Sequence, residues 1–140
     1  MQNVRFEIVE NANNFAIKSY GASYEELFAN AAYGMFSVIQ GKVFKVDVTD
    51  TVKTERVTIK SADRGELLVE FLNELLYCAE TKKRAYGAFS FIKLTNNELV
   101  VLAYYTPLSK PKIIFKAATY RNLQIRKLKS HFEATVTFDI

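Results

Sequence analysis

Two segments with helical periodicity, each opened by a capping residue, interrupt a chain that elsewhere alternates apolar and polar residues like a β-strand. The first helix is predicted to begin at the capping box Ser23–Glu26, in which the serine hydroxyl accepts from a free helix amide, and to end at Gly41. The second is predicted to begin at Asp63 and to end at the cationic run 82–84, where the helix dipole favours positive charge. Such a chain must bury two apolar helix stripes against strands.

The remaining segments are predicted to be strands, because β-branched and aromatic residues alternate with polar ones. Besides two runs around Phe6 and Phe15, they are 43–48, 54–60, 89–94, 99–105, 112–120, 123–129 and 131–139. Asn96-Asn97 separates two of them and tolerates the positive φ of a tight hairpin. The order β-β-α-β-β-α, followed by a meander, predicts one α+β domain over residues 1–140. We expect two layers: an antiparallel or mixed β-sheet with two amphipathic helices packed on one face.

Composition narrows the class of protein. Apolar residues make up 49% of the 140 residues, and no window approaches the roughly 20 apolar residues of a membrane helix. The N-terminal sequence lacks the apolar core and cleavage site of a signal peptide, and Cys78 is the single cysteine, so no intramolecular disulfide can form. We therefore expect a cytoplasmic protein with no membrane partner. Its net charge of +4 is compatible with a nucleic acid or an acidic protein partner.

The residue types of common catalytic sites are scarce. His131, the single histidine, precedes the last predicted strand, and we interpret it as a surface turn residue rather than as a member of a catalytic triad. Cys78 lies near the apolar stripe of the second helix and is interpreted as a small buried residue rather than a reactive thiol. The five glycines are scattered and form no phosphate-binding fingerprint. We therefore expect a protein that is not an enzyme.

At the C-terminal end of the sequence, Asp139 lies beside the carboxylate of Ile140. Two neighbouring negative groups repel each other, and a hard cation held by oxygen ligands would relieve that repulsion. The alternative is that both groups are simply solvated at a frayed end of the last strand. The residues alone leave the two interpretations open.

A basic stretch runs from Lys110 to Lys129 without an acidic residue. Lysine and arginine side chains bind phosphate with a salt-dependent affinity, and Tyr120 within the stretch could stack on a base. The stretch is therefore a candidate surface for RNA or another partner. Its basic residues are Lys110, Lys112, Lys116, Arg121, Arg126, Lys127 and Lys129. The alternative is the polar face of a sheet, with cations that guard an edge strand against aggregation.

Four motifs, in order along nearly the whole chain, resemble those of the archease family. The segment FAIKSYGASYEELFANAAYGMFSVI (15–39) is similar to a family strand that ends in an aromatic-glycine pair before a helix. The segment ELLVEFLNELLY (66–77) resembles the second family helix, and KAATY (116–120) resembles the family's lysine-alanine-x-threonine-tyrosine strand. The chain also ends in Asp139-Ile140, which is similar to the family's acidic-aliphatic terminus.

The resemblance implies an accessory role for the tRNA-splicing RNA ligase, which joins RNA ends through a guanylylated histidine of its own. Archeases promote this guanylylation, restore turnover and broaden the nucleotide use of the ligase. Family members also bind a divalent cation, calcium or magnesium, through an aspartate near the N-terminus and the C-terminal aspartate with its neighbour. The resemblance assigns these positions to Asn14, Asp139 and Ile140.

The chain departs from the family pattern at this cation site. The family's aspartate-histidine-threonine-alanine-aspartate is replaced by the residues of segment 10–14, ENANN. Asn14 keeps an oxygen ligand without its charge, Glu10 keeps an acid that could bind metal or a partner, and Arg121 stands where the family has a histidine. Because ligand charge governs affinity for a hard cation, we expect divalent-cation binding to be weakened or lost. The alternative function is a non-catalytic RNA- or protein-binding module on the archease scaffold.

Overall fold

In the computed structural model, residues 5–11 and 14–140 are described, and for residues 10, 11 and 14 the description covers the backbone only. This part of the chain contains two helices and seven strands. They are β1 (Phe6–Asn11), β2 (Asn14–Gly21), α1 (Tyr24–Gln40), β3 (Lys53–Lys60), α2 (Arg64–Lys82), β4 (Arg84–Leu94), β5 (Glu98–Pro107), β6 (Ala117–Lys127) and β7 (Phe132–Asp139). The described strand pairs are all antiparallel, so the predicted α+β class is confirmed.

The described strands are divided between two sheets, a division that the sequence did not predict. One has four strands in the order β1-β2-β7-β6, and the other has three in the order β3-β5-β4. The first sheet contains the two strands before α1 and the last two strands of the chain. Strands β3, β4 and β5, which lie between α1 and β6 in the sequence, form the second sheet. Helix α1 packs on β2 and β4, and α2 packs on β6, β4 and β3, so each helix contacts both sheets. The helices therefore carry the core that the two sheets share.

The predicted helix boundaries are confirmed by their caps. The Ser23 hydroxyl accepts from the amide of Glu26 at 3.1 Å, and α1 ends at Gly41, whose φ of 72° is left-handed. The carboxylate of Asp63 accepts from the amide of Glu66 at 2.8 Å. Each cap satisfies a backbone N–H that the helix itself leaves without a partner. In the described part of the chain, no helix is long and apolar enough to cross a bilayer.

Three of the predicted strands differ in the structure. Residues 43–48 form no strand, because the segment crosses β4 at one point, where the Val46 amide donates to the carbonyl of Gly87 at 3.0 Å. A side chain at position 87 would place its Cβ 2.6 Å from the Val46 nitrogen, so this close crossing requires glycine. The predicted strands 112–120 and 123–129 are parts of one strand, β6, which begins at Ala117, ends at Lys127 and continues through the predicted break as a bulge.

The hairpin at Asn96-Asn97 forms as predicted between β4 and β5, but the predicted positive φ is wrong. Among the described non-glycine residues, only Lys83 and Asn122 have positive φ. The Thr95 hydroxyl instead accepts from the amides of Asn97 and Glu98, at 3.2 and 3.0 Å. A side-chain acceptor therefore organises this three-residue loop without a left-handed residue.

Candidate functional site

The pairing of β2 with β7 brings distant segments to one end of the four-stranded sheet. The backbone of Asn14 lies opposite Asp139, and Asp139 lies opposite Ala117 on its other side. The carbonyl of Asp139 also accepts from the amide of Lys116 at 2.8 Å. Two positions assigned by the resemblance, 14 and 139, are therefore neighbours in the sheet. Ile140 follows directly and is half-exposed.

A basic side chain of the same protein binds the Asp139 carboxylate. The guanidinium of Arg121 donates to Oδ1 of Asp139, and both side chains are about half-exposed. Arg121 reaches Asp139 because β6 bulges between Thr119 and Gln124, where it advances five residues while β7 advances two. The three extra residues place Arg121 at the same end of the sheet as Asp139.

The described side chains at this end do not fit a divalent-cation site as they stand. A hard cation takes six to eight oxygen ligands, and carboxylates supply the charge. Among the residues with described side chains, no group of three His, Cys, Asp or Glu residues could hold a metal ion. Asp139 offers a single carboxylate, and Arg121 competes for it. The side chains of Glu10 and Asn14 lie outside the described residues, as do residues 12 and 13, so the roles predicted for Glu10 and Asn14 remain predictions.

The basic stretch is exposed but does not form one compact patch. Lys112 and Lys116 lie in the segment before β6, and Arg121 lies in the bulge near Asp139. Arg126 and Lys127 lie at the opposite end of β6, and Lys129 lies in the turn to β7. Tyr120, proposed to stack on a base, donates its hydroxyl to Glu70 on α2 at 2.8 Å. Burial and this hydrogen bond raise the pKa of Tyr120 to about 12.

His131 and Cys78, the two side chains that could take part in nucleophilic catalysis, lie on different elements and in different environments. His131 lies in the turn before β7, partly exposed, with Nδ1 3.0 Å from the Ser130 hydroxyl, as predicted for a surface turn residue. Cys78 is buried on α2, also as predicted. Burial, followed by the neighbouring carboxylate of Glu55, raises the pKa of the Cys78 thiol to about 11. A thiol with this pKa is a poor nucleophile at neutral pH.

A polar cluster around Glu55 was missed by sequence analysis. Glu55 lies on β3, and its carboxylate accepts hydrogen bonds from four side chains of α2 and β4. The donors are Lys82 at 2.6 Å, Arg84 at 2.7 Å, Tyr86 at 3.0 Å and Cys78 at 3.3 Å. Burial alone would raise the pKa of Glu55, but hydrogen bonds from Lys82, Cys78 and Tyr86 and the charge of Lys82 outweigh it and lower this pKa to about 2. The one available signal was the run 82–84, which was interpreted as helix-end charge.

The family model and the most similar curated proteins agree on one family. The model of the Archease protein family matches residues 6–140. The protein archease of Methanosarcina mazei is 34% identical over 152 aligned residues, which cover 99% of this chain and 98% of the relative. The protein archease of Saccharolobus solfataricus is 30% identical, with 97% of this chain and 99% of the relative covered.

Two solved structures are similar to this chain. The solution structure of protein 1598 from Methanobacterium thermoautotrophicum matches with a TM-score of 0.74 and 25% identity, over 96% of this chain and 98% of that one. The crystal structure of an archease and possible chaperone from Thermotoga maritima matches with a TM-score of 0.65 over the full length of both chains. Its 22% identity makes this second match a likeness of fold.

Proposed function

Because this chain belongs to the archease family, we propose that it is an accessory protein that activates a tRNA-splicing RNA ligase by promoting its guanylylation and turnover. The observation that carries the proposal is the family match over residues 6–140, which spans every described element. The geometry of Cys78 supports an accessory rather than a catalytic role, because this buried thiol is a poor nucleophile. In this proposal the ligase supplies the reacting histidine, and both proteins act in the cytoplasm.

The proposed function includes a weak divalent-cation site at Asn14, Asp139 and Ile140, with calcium or magnesium as the ion. The neighbouring backbone positions of Asn14 and Asp139 support this location. The bond from Arg121 to Oδ1 of Asp139 supports a lowered affinity, because the guanidinium competes with a cation for that carboxylate. An exposed ion pair is worth at most about 1 kcal/mol, so this competition lowers the affinity about fivefold at most, and the missing charge at Asn14 has to account for any larger loss.

The test is a guanylylation assay with the RNA ligase of the same organism, with and without this protein, across a range of calcium and magnesium concentrations. We expect stimulation that is lower with Asp139→Asn and unchanged with Glu80→Gln, which removes an exposed acid on α2. Absence of stimulation at every divalent-ion concentration would count against the activator function. Equal stimulation by both variants would leave the activator function standing and remove the role of Asp139.

A second candidate function is a non-catalytic RNA- or protein-binding module, and the exposure of the seven basic side chains of the stretch favours it. Under this function the lysines Lys112, Lys116 and Lys129 bind phosphate, and RNA affinity falls steeply as salt is raised. An RNA affinity that does not change with salt concentration, or no RNA binding at all, would argue against RNA as the partner of this stretch.

A further inference from the structure

A groove of about 700 Å³ lies beside the three-stranded sheet, between the connection from α1 to β3 and the junction of α2 with β4. Its lining is strongly basic. Five of the described lining residues are cationic, namely Lys45, Lys53, Lys82, Lys83 and Arg84. Asp47 is the acidic residue among them. Glu55, which binds two of these cations, adds a second negative charge, so five positive charges against two negative give this small region a formal +3.

Two of these cations are held in place by the carboxylate of Glu55. Lys82 and Arg84 both donate to Oε2 of Glu55, at 2.6 and 2.7 Å. The guanidinium of Arg84 also lies over the ring of Tyr105, 4.0 Å from its centroid. A guanidinium fixed by a carboxylate and an aromatic ring loses little freedom when it binds an anion, and one bond to Glu55 uses only one of its five N–H donors. Arg84 is therefore preorganised for an anionic ligand.

The other cations are exposed and reach the groove from different directions. Lys45 comes from the connection after α1, Lys53 opens β3, and Lys83 follows α2 with a left-handed φ of 55°. The hydroxyls of Thr49 and Thr51 add hydrogen-bonding groups to the same lining. Charge spread along a groove in this way matches a ligand with repeated negative charges rather than a single anion.

The lining favours a phosphate backbone over an acidic protein segment. Protein interfaces depend on exposed apolar or aromatic anchors that enter pockets. Here Arg84 covers the ring of Tyr105. Val46 is buried and Val52 is partly buried, which leaves Pro107 as the exposed apolar residue of the described lining. The groove therefore presents cations and hydroxyls rather than an apolar anchor site, and a positively charged groove is the part of a single-stranded RNA site that follows the phosphate backbone.

We propose that this groove binds the phosphate backbone of single-stranded RNA. The site lies beside the three-stranded sheet, whereas Asp139 and the basic stretch 110–129 belong to or adjoin the four-stranded sheet. The test of this site does not depend on the ligase-activating function, because RNA binding is measured on the purified protein without the ligase.

The experiment measures the affinity of a labelled oligouridylate by fluorescence anisotropy between about 0.05 and 0.2 M salt, where each phosphate contact changes the slope of log K against log salt by about 0.7. The double variant Lys45→Gln/Lys53→Gln removes two exposed charges and leaves the Glu55 bonds intact. We expect its slope to be shallower by about 1.4 and its affinity to fall about 25-fold near 0.1 M salt.

The matched control is Lys42→Gln/Lys60→Gln, which removes two exposed lysines that lie outside both the groove and the basic stretch. We expect its affinity and slope to stay near those of the parent. An equal loss in both double variants, or a loss in the control alone, would overturn the proposal in favour of diffuse charge. Oligoglutamate serves as a competitor, and its displacement of RNA at equal charge concentration would identify an acidic protein as the ligand instead.

Arg84→Lys gives a second test, because it keeps the charge but loses the planar guanidinium. We expect RNA affinity to fall several-fold with the salt slope unchanged. An affinity equal to that of the parent would mean that the guanidinium held over Tyr105 does not bind RNA.

Discussion

Two carboxylates, those of Asp139 and Glu55, bind cationic side chains of the same chain, with different consequences. Asp139 and Arg121 are about half-exposed, so water and salt screen their attraction and the pair is easily separated. The Glu55 side chain is 20% exposed and accepts from two cations and two neutral donors. Breaking the first pair frees a carboxylate for a ligand, whereas breaking the second leaves covered polar groups without partners.

At the first carboxylate, charge sets the affinity for a divalent cation. We expect Asn14→Asp to raise calcium affinity by adding a ligand charge, and Arg121→Gln to raise it by freeing Asp139. Asp139→Asn should abolish the binding that remains. Isothermal titration calorimetry with calcium and with magnesium measures all three changes. If Asn14→Asp and Asp139→Asn both bound cations like the parent, the assigned site would be wrong.

At the second carboxylate, Glu55→Gln should destabilise the fold by about 2 kcal/mol, because charged hydrogen bonds are lost. The pKa of Glu55 is lowered to about 2 in the folded protein, so its contribution is complete above its ordinary value of 4.5. This contribution is lost as the pH falls from there through about 2. Urea denaturation across that pH range measures the change.

The control for this prediction is Glu98→Gln, which removes the ion pair with Lys93, a side chain about half-exposed, and should cost less than about 1 kcal/mol. Equal losses in the two variants would show that the Glu55 cluster adds no more stability than a surface pair.

At the scale of elements, the bulge in β6 has the greatest effect on the candidate site. Strand β6 pairs with β7 on both sides of residues 120–123. The bulge between the two paired parts lets the Arg121 side chain reach Asp139. The bulge depends on Asn122, which has a φ of 56° and an exposed side chain. Asparagine tolerates this left-handed conformation better than other non-glycine residues because its short side chain can bond locally.

We expect Asn122→Val to destabilise the protein by about 1–2 kcal/mol, since a β-branched residue is strained at positive φ. Asn122→Gly should be neutral within about 0.5 kcal/mol, because the side chain is exposed and glycine adopts this φ freely. Thermal unfolding of both variants measures the difference. A valine variant as stable as the glycine variant would mean that the bulge can rearrange without cost.

At the scale of the whole molecule, the helices join the two sheets into one core. The ring of Phe71 on α2 lies 6.2 Å from that of Phe28 on α1, and 5.7 and 6.3 Å from those of Phe89 and Phe91 on β4. Asn73 on α2 bonds both backbone groups of Ala118 on β6, at 3.1 and 2.7 Å. The same helix therefore contacts a strand of each sheet, so its side chains belong to the core of both.

Phe71→Ala should destabilise the protein by about 3–5 kcal/mol through the cavity it creates, and both sheets should lose amide protection together. Tyr77→Ala on the same helix removes an exposed ring and should change stability by no more than about 0.5 kcal/mol. Chemical denaturation and hydrogen exchange measure the two effects. Protection lost in the three-stranded sheet alone would contradict a shared core, and Phe71→Leu keeps the test possible if the alanine variant does not fold.

The sequence by itself determined the local features of this protein. Ser23, Asp63 and Gly41 set the helix ends, because capping depends on bonds and φ angles within a few residues. Apolar alternation located most strands, and motif order indicated the family. Alternation was misleading at segment 43–48, which resembles a strand but crosses β4 with one backbone hydrogen bond, from Val46 to Gly87.

Only the tertiary structure decided which distant residues meet. Antiparallel pairing of β2 with β7 places Asn14 beside Asp139, and the β6 bulge adds Arg121. The division into two sheets surrounds Glu55 with donors from α2 and β4 and gathers the cations of the groove. The physical reason is that strand pairing and helix docking are fixed by packing across the whole core, whereas periodicity in a sequence records only which face of each element is buried.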